Sequence, residues 1–231
     1  MLNKITFGSE VIEYKLQFAD RKTLGITVLP NREVLVKAPE GSSLDKIEAK
    51  IKKKAFWILK QKDHFLSFEP RLTERRYVSG ETHLYLGRQY QLKVILSDFD
   101  KVKYTGRYIE VHTNDKSKVK ELVLSWYREK AEIWFKKISD KQVERFLKYK
   151  VKPTKLEIKE MKYRWGSCSN KGRILLNPEL MKAPKACIEY VIVHELCHLV
   201  HRDHTKVFFE LQTKEMPDWQ KWKLKLENLL A

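Results

Sequence analysis

Two histidines four residues apart are the feature that most restricts how this chain can fold. They are His194 and His198, in the stretch YVIVHELCHLVH, whose apolar residues recur as in a buried helix. Each residue of an α-helix turns the chain by about 100°, so positions four apart differ by about 40° and lie one turn apart. Both imidazoles can therefore point at one metal ion. Little of this helix is polar, so the fold must bury it between layers of structure.

Glu195 completes the pattern H-E-x-x-H. It lies about 100° round the helix from His194, too far to be a natural third ligand but able to reach a water molecule bound to the same ion. A zinc ion lowers the pKa of such a water to about 7. We therefore expect a zinc-dependent hydrolase in which Glu195 takes a proton from the attacking water and passes it to the leaving group.

Catalytic zinc usually has three protein ligands and one open position, so a third ligand is needed. His204 is the preferred choice, because Arg202 and Asp203 can end the helix and let the chain fold back over the metal. The spacing H-E-x-x-H-x5-H matches that of metzincins, although His201 replaces the glycine of their turn. His201 is an alternative ligand, but it lies about 10 Å beyond His194 along the helix axis. Downstream carboxylates are the remaining alternatives, for example those of Glu210 and Glu215.

The sequence around this motif resembles the YgjP-like metallopeptidase family, distant relatives of the SprT-like zinc proteins in the zincin group. The most specific stretches are YRWGSCSNKGRILLNPELMKAP and YVIVHELCHLVHRDHTKVFF, and the resemblance extends upstream to RKTLGITVLPNREVLVKAP, KAFWILKQ and HLYLGRQYQL. It implies that His194, His198 and His204 are the metal ligands. It also implies that Glu195 is the catalytic acid and base. Residues 203–205 are Asp-His-Thr where the family commonly has Asn-His-Ser, and this aspartate either supports a ligand or caps the next helix.

The hydrophobic pattern changes its period along the chain and predicts an α+β fold. Residues 4–38 contain short alternating runs, which are typical of antiparallel strands. A helical pattern then extends to about residue 66, and strand patterns resume over residues 83–113. From Asn114 the period is mainly helical. We therefore predict a β-rich subdomain over residues 1–113, and a zincin-like, mostly helical subdomain with a small sheet over residues 114–231.

Local signals refine this prediction. Ser42 and Asp45 form a capping signature at the start of the first helix. The stretch RILLN, residues 173–177, is the candidate for a strand that lines the cleft and pairs with an extended substrate. We expect turns at Pro30-Asn31 and Gly166, and a break between two helices at Ser139-Asp140. Residues 67–82 are expected to form a connector without regular structure.

The composition bears on partners and location. The formal net charge of +17 favours polyanions such as nucleic acid. The densest basic group, Lys50 with residues 52–54, lies in a helical pattern, so a solvated helix face is the preferred interpretation and a nucleic-acid surface the alternative. Three cysteines, none in a C-x-x-C pair, indicate free thiols. No uncharged run approaches the ~20 residues of a membrane span and no leader pattern is present, so we expect a cytoplasmic protein without a membrane partner.

These observations give three functional hypotheses. The first is a zinc peptidase that acts on a peptide or protein. The second keeps the metal site but cleaves a nucleotide phosphoanhydride, because positive charge favours phosphate-bearing substrates. The third follows from the SprT-like relatives: a DNA-associated module whose peptidase acts on bound proteins. In both alternatives the basic surface binds a nucleotide or nucleic acid.

Overall fold

The computed structural model describes residues 2–8, 10–29, 31–66, 75–162 and 164–230. Pro30 of the expected turn and residues 67–74 of the expected connector lie outside the described residues. The chain divides into two compact units, residues 1–71 and residues 72–230. Each unit has its own hydrophobic core and combines strands with helices, which confirms the predicted α+β class.

The first unit contains a four-stranded sheet. Its strands are β1 (Leu2–Phe7), β2 (Glu10–Ala19), β3 (Gly25–Val28) and β4 (Val34–Pro39), in the spatial order β1-β2-β4-β3. The expected antiparallel arrangement is wrong for one pair, because β2 and β4 run parallel, with Tyr14 opposite Val34. On its other side β4 pairs with β3, and this pair is antiparallel.

Two helices follow where one was predicted, α1 (Leu44–Lys53) and α2 (Ala55–Leu66). They separate at Lys54, whose backbone angles are φ −105° and ψ 4°. The residue that precedes α1 is Ser43, and its side chain makes no capping hydrogen bond, so the signature at Ser42 and Asp45 does not act as predicted. The helices contribute apolar side chains to the core of this unit: Ile47, Ile51, Ala55 and Ile58.

The second unit begins with another four-stranded sheet. It consists of β5 (Thr82–Tyr85), β6 (Arg88–Ile95), β7 (Lys101–Tyr104) and β8 (Tyr108–His112), in the order β5-β6-β8-β7. Leu92, Ile109 and Val111 of this sheet share one core with the long helix α3 (Val119–Phe146). The two units therefore divide before this sheet, whereas the sequence pattern changes near residue 113. A change of period marks a change of secondary structure and does not mark the limit of a core.

The helix α3 continues through Ser139 and Asp140, where a break was predicted. Ser139 is only 4% exposed, and it is buried on the same helix as Phe135 and Phe146. Tertiary packing along this buried side outweighs the modest helix propensity of serine and aspartate.

A small sheet and three helices complete the second unit. The strands β9 (Lys155–Ile158), β10 (Gly166–Cys168) and β11 (Arg173–Leu176) have the order β10-β11-β9. The helices are α4 (Lys185–Val200), α5 (Lys206–Glu215) and α6 (Trp219–Leu230). The strand β11 was expected to accept a substrate, but it is paired on both sides, antiparallel to β10 and parallel to β9. Of the helices in the described part of the chain, none has both the length and the apolar character of a membrane span.

Candidate metal centre

The helix α4 carries the H-E-x-x-H motif through the core of the second unit. It packs against α3, α5, α6 and β10. Its position explains why its sequence has almost no polar side. Nine of its sixteen residues are buried: Cys187, Ile188, Tyr190, Val191, Ile192, Val193, Glu195, Leu196 and Cys197.

The chain leaves α4 and turns back at residues 202–203, as the sequence predicted. His201 has extended backbone angles, φ −129° and ψ 115°, which end the helix. The Thr205 N–H then donates to the Asp203 carbonyl oxygen at 2.7 Å. Because α5 begins directly afterwards with Thr205 as its cap residue, Asp203 does not cap it. This glycine-free turn brings His204 back beside α4.

Three imidazoles converge at this turn. His194, His198 and His204 each offer one ring nitrogen, and these nitrogens lie within 4.8 Å of one another. The Nε2 atoms of His194 and His204 are 3.0 Å apart. Within the described part of the chain, this is the only such group of histidine, cysteine or acidic side chains. The structure therefore brings together the three histidines that were predicted as ligands.

The remaining ring nitrogens of two histidines are held by oxygen atoms. His194 Nδ1 lies 2.9 Å from Oε1 of Gln212, and His198 Nδ1 lies 2.9 Å from the Arg202 carbonyl oxygen. These oxygens only accept hydrogen bonds, so each Nδ1 carries a hydrogen, and in a neutral ring this leaves the lone pair on Nε2. Histidines that bind metals usually have this arrangement, which fixes both the tautomer and the orientation of the ring.

Gln212 was not singled out from the sequence. It is fully buried on α5, four residues after Phe208, so the two share one side of that helix. A polar side chain on the apolar side of a helix requires a partner. Applied to α5, the helix that follows His204, this rule would have identified Gln212 from the sequence.

Phe208 forms an apolar wall beside the cluster. Its ring centroid lies 5.1 Å from that of His194 and 4.7 Å from those of His198 and His204. Burial lowers the pKa of His194 to about 4, although the hydrogen bond to Gln212 opposes this shift. Burial also lowers the pKa of His204. Both imidazoles are therefore neutral at pH 7, which is the form that binds metal ions.

Glu195 is buried between α4 and β10. It is 5% exposed, and burial raises the pKa of its carboxyl to about 8, although Arg164 acts in the opposite direction. The carboxylate lies against Gly166, where an added Cβ would be 2.6 Å from Oε1. Gly166 was predicted to form a turn, but it belongs to the strand β10. The absence of a side chain at Gly166 makes room for Glu195.

The alternative third ligands lie outside this cluster. His201 is not part of the group in which the three ring nitrogens converge, and Glu210 is exposed. Glu215 is buried, but its carboxylate accepts from the Tyr149 hydroxyl at 2.6 Å and pairs with the Lys148 ammonium at 2.8 Å. It therefore joins α5 to the residues that directly follow α3.

The three cysteines are free thiols, as expected. Cys168 lies in β10, and burial together with the nearby Glu195 raises the pKa of its thiol. Burial also raises the pKa of Cys187 to about 11 and that of Cys197 to about 12. Thiols with raised pKa values are poor nucleophiles, so none of the three is suited to covalent catalysis.

A buried H-E-x-x-H helix, a third histidine beside it and a buried glutamate are typical of a metal-dependent hydrolase. A protein-family model described as YgjP-like, metallopeptidase domain, matches residues 22–229. The chain therefore belongs to the YgjP-like metallopeptidase family, which confirms the resemblance seen in the sequence and implies a metallopeptidase-type hydrolase that uses a metal. A search of curated proteins finds no match to the chain.

Proposed function

We propose that this chain is a zinc-dependent peptidase in which His194, His198 and His204 hold the metal and Glu195 is the catalytic acid and base. The observation that carries the proposal is the convergence of three ring nitrogens beside the buried Glu195. The free thiols also support the reducing environment of the cytoplasm as the place where it acts.

The donor atoms suit zinc. Imidazole nitrogens bind zinc at about 2.0–2.1 Å, and three of them leave a fourth tetrahedral position open. Two nitrogens on one tetrahedral zinc ion would lie about 3.3 Å apart, close to the 3.0 Å between the Nε2 atoms of His194 and His204. Either a proton or a metal ion can bridge two imidazole nitrogens at this distance. The third imidazole beside them favours a metal ion, which can accept a lone pair from each ring.

The proposed mechanism assigns a proton-transfer role to Glu195. Zinc, when bound, supplies a Lewis acid that lowers the pKa of water to about 7 and polarises a carbonyl group. Glu195 takes the proton of the attacking water and returns it to the leaving amine. Burial raises the pKa of this carboxyl to about 8, and a cation bound beside it would lower the pKa again. A value closer to neutrality suits a group that must both accept and return a proton.

The edge strand β10 is suited to hold an extended peptide. Among the described strands it pairs with β11 alone, so its other edge is free to form backbone hydrogen bonds. Gly166 of this strand touches the Glu195 carboxylate. A peptide along β10 would therefore run close to the catalytic acid and base.

Metal removal tests this function. Purified protein should cleave an unfolded protein substrate, lose this activity after treatment with a chelator, and regain it when one equivalent of zinc is added, because the metal supplies the Lewis acid. Cleavage is measured by the release of new amino termini. Magnesium at the same concentration is the control, since it prefers oxygen ligands. Hydrolysis that persists without metal would contradict the proposal.

Gln212 is expected to support the metal through His194. Replacement of Gln212 by leucine removes the acceptor for His194 Nδ1 and should weaken zinc binding by about 10–100-fold. Gln212→Glu keeps an oxygen acceptor at this position and is the matched control, which should bind zinc at least as tightly as the leucine variant. Affinity is measured by competition with a coloured chelator. Equal zinc affinities in the wild type and Gln212→Leu would show that His194 does not need this partner.

A second candidate function is hydrolysis of a nucleotide phosphoanhydride. It is favoured by three cations near the site, Lys223, Arg164 and Arg202. Burial lowers the pKa of His194 and His204, and the charge of Lys223 adds to this shift. Burial raises the pKa of Glu195 and Cys168, and the charges of Arg164 and Arg202 oppose these two shifts. Cations around a metal favour a substrate with several phosphate charges. Nucleoside triphosphates assayed beside the unfolded protein substrate separate the two functions, since only the true substrate is cleaved in a manner that depends on Glu195.

A further inference from the structure

The first unit contains a cavity that combines basic and apolar side chains, here called the lysine groove. Its volume is about 400 Å³, and it is lined by Leu24, Ile26, Lys50, Lys53, Lys54 and Trp57. Ile26 lies in β3 and Leu24 directly precedes this strand. The other side chains come from the junction of α1 and α2. All six belong to one compact unit, so the lysine groove is a feature of that unit alone.

An exposed indole is the unusual part of the lysine groove. Trp57 is 41% exposed, and the neighbouring Phe56 is 74% exposed. Lysines near the end of α1 complement the carbonyl groups at that helix terminus, which gives a structural reason for Lys50 and Lys53. That reason does not apply to Trp57, whose ring is exposed to solvent beside the apolar side chains of Leu24 and Ile26. Such an arrangement is typical of a binding surface.

The ammonium groups of the lysine groove are available to a ligand. Lys50, Lys53 and Lys54 are exposed, and no ion pair engages them among the residues that the structure describes. Residues 1–71 contain 14 lysines and arginines against 9 aspartates and glutamates, so this unit carries a net charge of +5. The ligand of this surface is therefore expected to be an anion with an apolar part.

We propose that the lysine groove binds single-stranded nucleic acid, with a base stacked on Trp57 and backbone phosphates contacting Lys50, Lys53 and Lys54. Surfaces that bind single strands combine aromatic rings for the bases with a basic groove for the backbone. A single strand supplies both features along its length. In a duplex the base faces are covered by neighbouring bases, and an acidic peptide or a lipid surface has no regular series of planar rings.

This activity is independent of the proposed metal site. None of the residues that line the lysine groove is a metal-site residue, so chelator-treated protein and the Glu195→Gln variant should bind nucleic acid with the affinity of the untreated wild type. A failure of zinc binding would therefore leave this proposal intact, and a failure of nucleic-acid binding would leave the metal site intact.

The charge contribution is tested with two triple variants of the chain of residues 1–231. One replaces Lys50, Lys53 and Lys54 by glutamine, and the other replaces three exposed lysines of the same unit that lie outside the lysine groove: Lys4, Lys22 and Lys37. Binding to a labelled 12-nucleotide oligothymidine is followed by fluorescence anisotropy over a series of salt concentrations. The logarithm of the binding constant falls linearly with the logarithm of the salt concentration, and each lost phosphate contact makes this slope shallower by about 0.7. The slope should therefore become shallower by about 2 in the variant without the three groove lysines and should hardly change in the control variant.

The stacking contribution is tested at Trp57. Trp57→Ala should weaken binding by about 5–100-fold, and Trp57→Phe should retain most of the affinity because it keeps an aromatic face. Equal losses in the two lysine triples would overturn the proposal, since the charge would then act without a defined site. Unchanged affinity in Trp57→Ala, or groove-dependent binding of polyglutamate as tight as that of the oligonucleotide, would also overturn it, because no base would then be bound.

Discussion

Replacement of Glu195 by glutamine is expected to lower the rate of hydrolysis by about 10²–10⁴-fold. Glutamine has the same shape as glutamate but accepts no proton at neutral pH. The side chain still fits against Gly166, whose missing Cβ leaves room for it. The three histidines are unchanged, so zinc should remain bound at its wild-type stoichiometry. The measurements are initial rates of peptide hydrolysis under saturating zinc, with metal content determined on the same samples.

Glu189 offers a matched control for this variant. It lies on the same helix as Glu195, and its carboxylate accepts from the Gln142 amide at 2.7 Å. A glutamine at this position can still accept that hydrogen bond, so Glu189→Gln should keep nearly the full rate. Wild-type hydrolysis by Glu195→Gln would exclude Glu195 as the acid and base, whatever the metal content.

The grouping of the histidines was predictable because they are close in sequence. His194 and His198 are one turn apart on a single helix, and His204 follows after five intervening residues. Only the rotation of an α-helix and one turn of the chain are needed to bring them together. Local geometry therefore contained nearly all of the information required.

Gln212 and Gly166 could not be found in this way, because they reach the cluster from other elements. The contact of Gln212 with His194 depends on how α5 packs against α4. The contact of Gly166 with Glu195 depends on how β10 lies across α4. A hydrophobic period reports which side of an element is buried, but not which residue of the neighbouring element it meets.

The order of strands was uncertain for the same reason. The apolar stretch RILL correctly predicted a strand, β11. Its central place in the sheet depends on pairing with β9 on one side and the three-residue strand β10 on the other. Such a short strand leaves hardly any period in the sequence, so the sequence did not show that RILLN lies between two other strands.

Removal of a single imidazole is expected to abolish stable zinc binding. The wild type should hold about one zinc ion per chain through three ligands. In His194→Ala and His204→Ala two ligands remain, which is fewer than catalytic zinc sites use, so the bound metal should fall to nearly zero after dialysis. Zinc is measured by mass spectrometry, and circular dichroism shows whether each variant is folded.

His201→Ala provides the control that distinguishes the cluster from the general affinity of histidines for zinc. His201 lies three residues before His204 but outside the convergent group, so its loss should leave the zinc stoichiometry unchanged. Its position tests the turn at residues 202–203 directly. A straight helix would put His201 on the same side as His194. The observed turn instead places His204 beside His194. Loss of zinc in His201→Ala with retention in His204→Ala would mean that His201 supplies the third ligand.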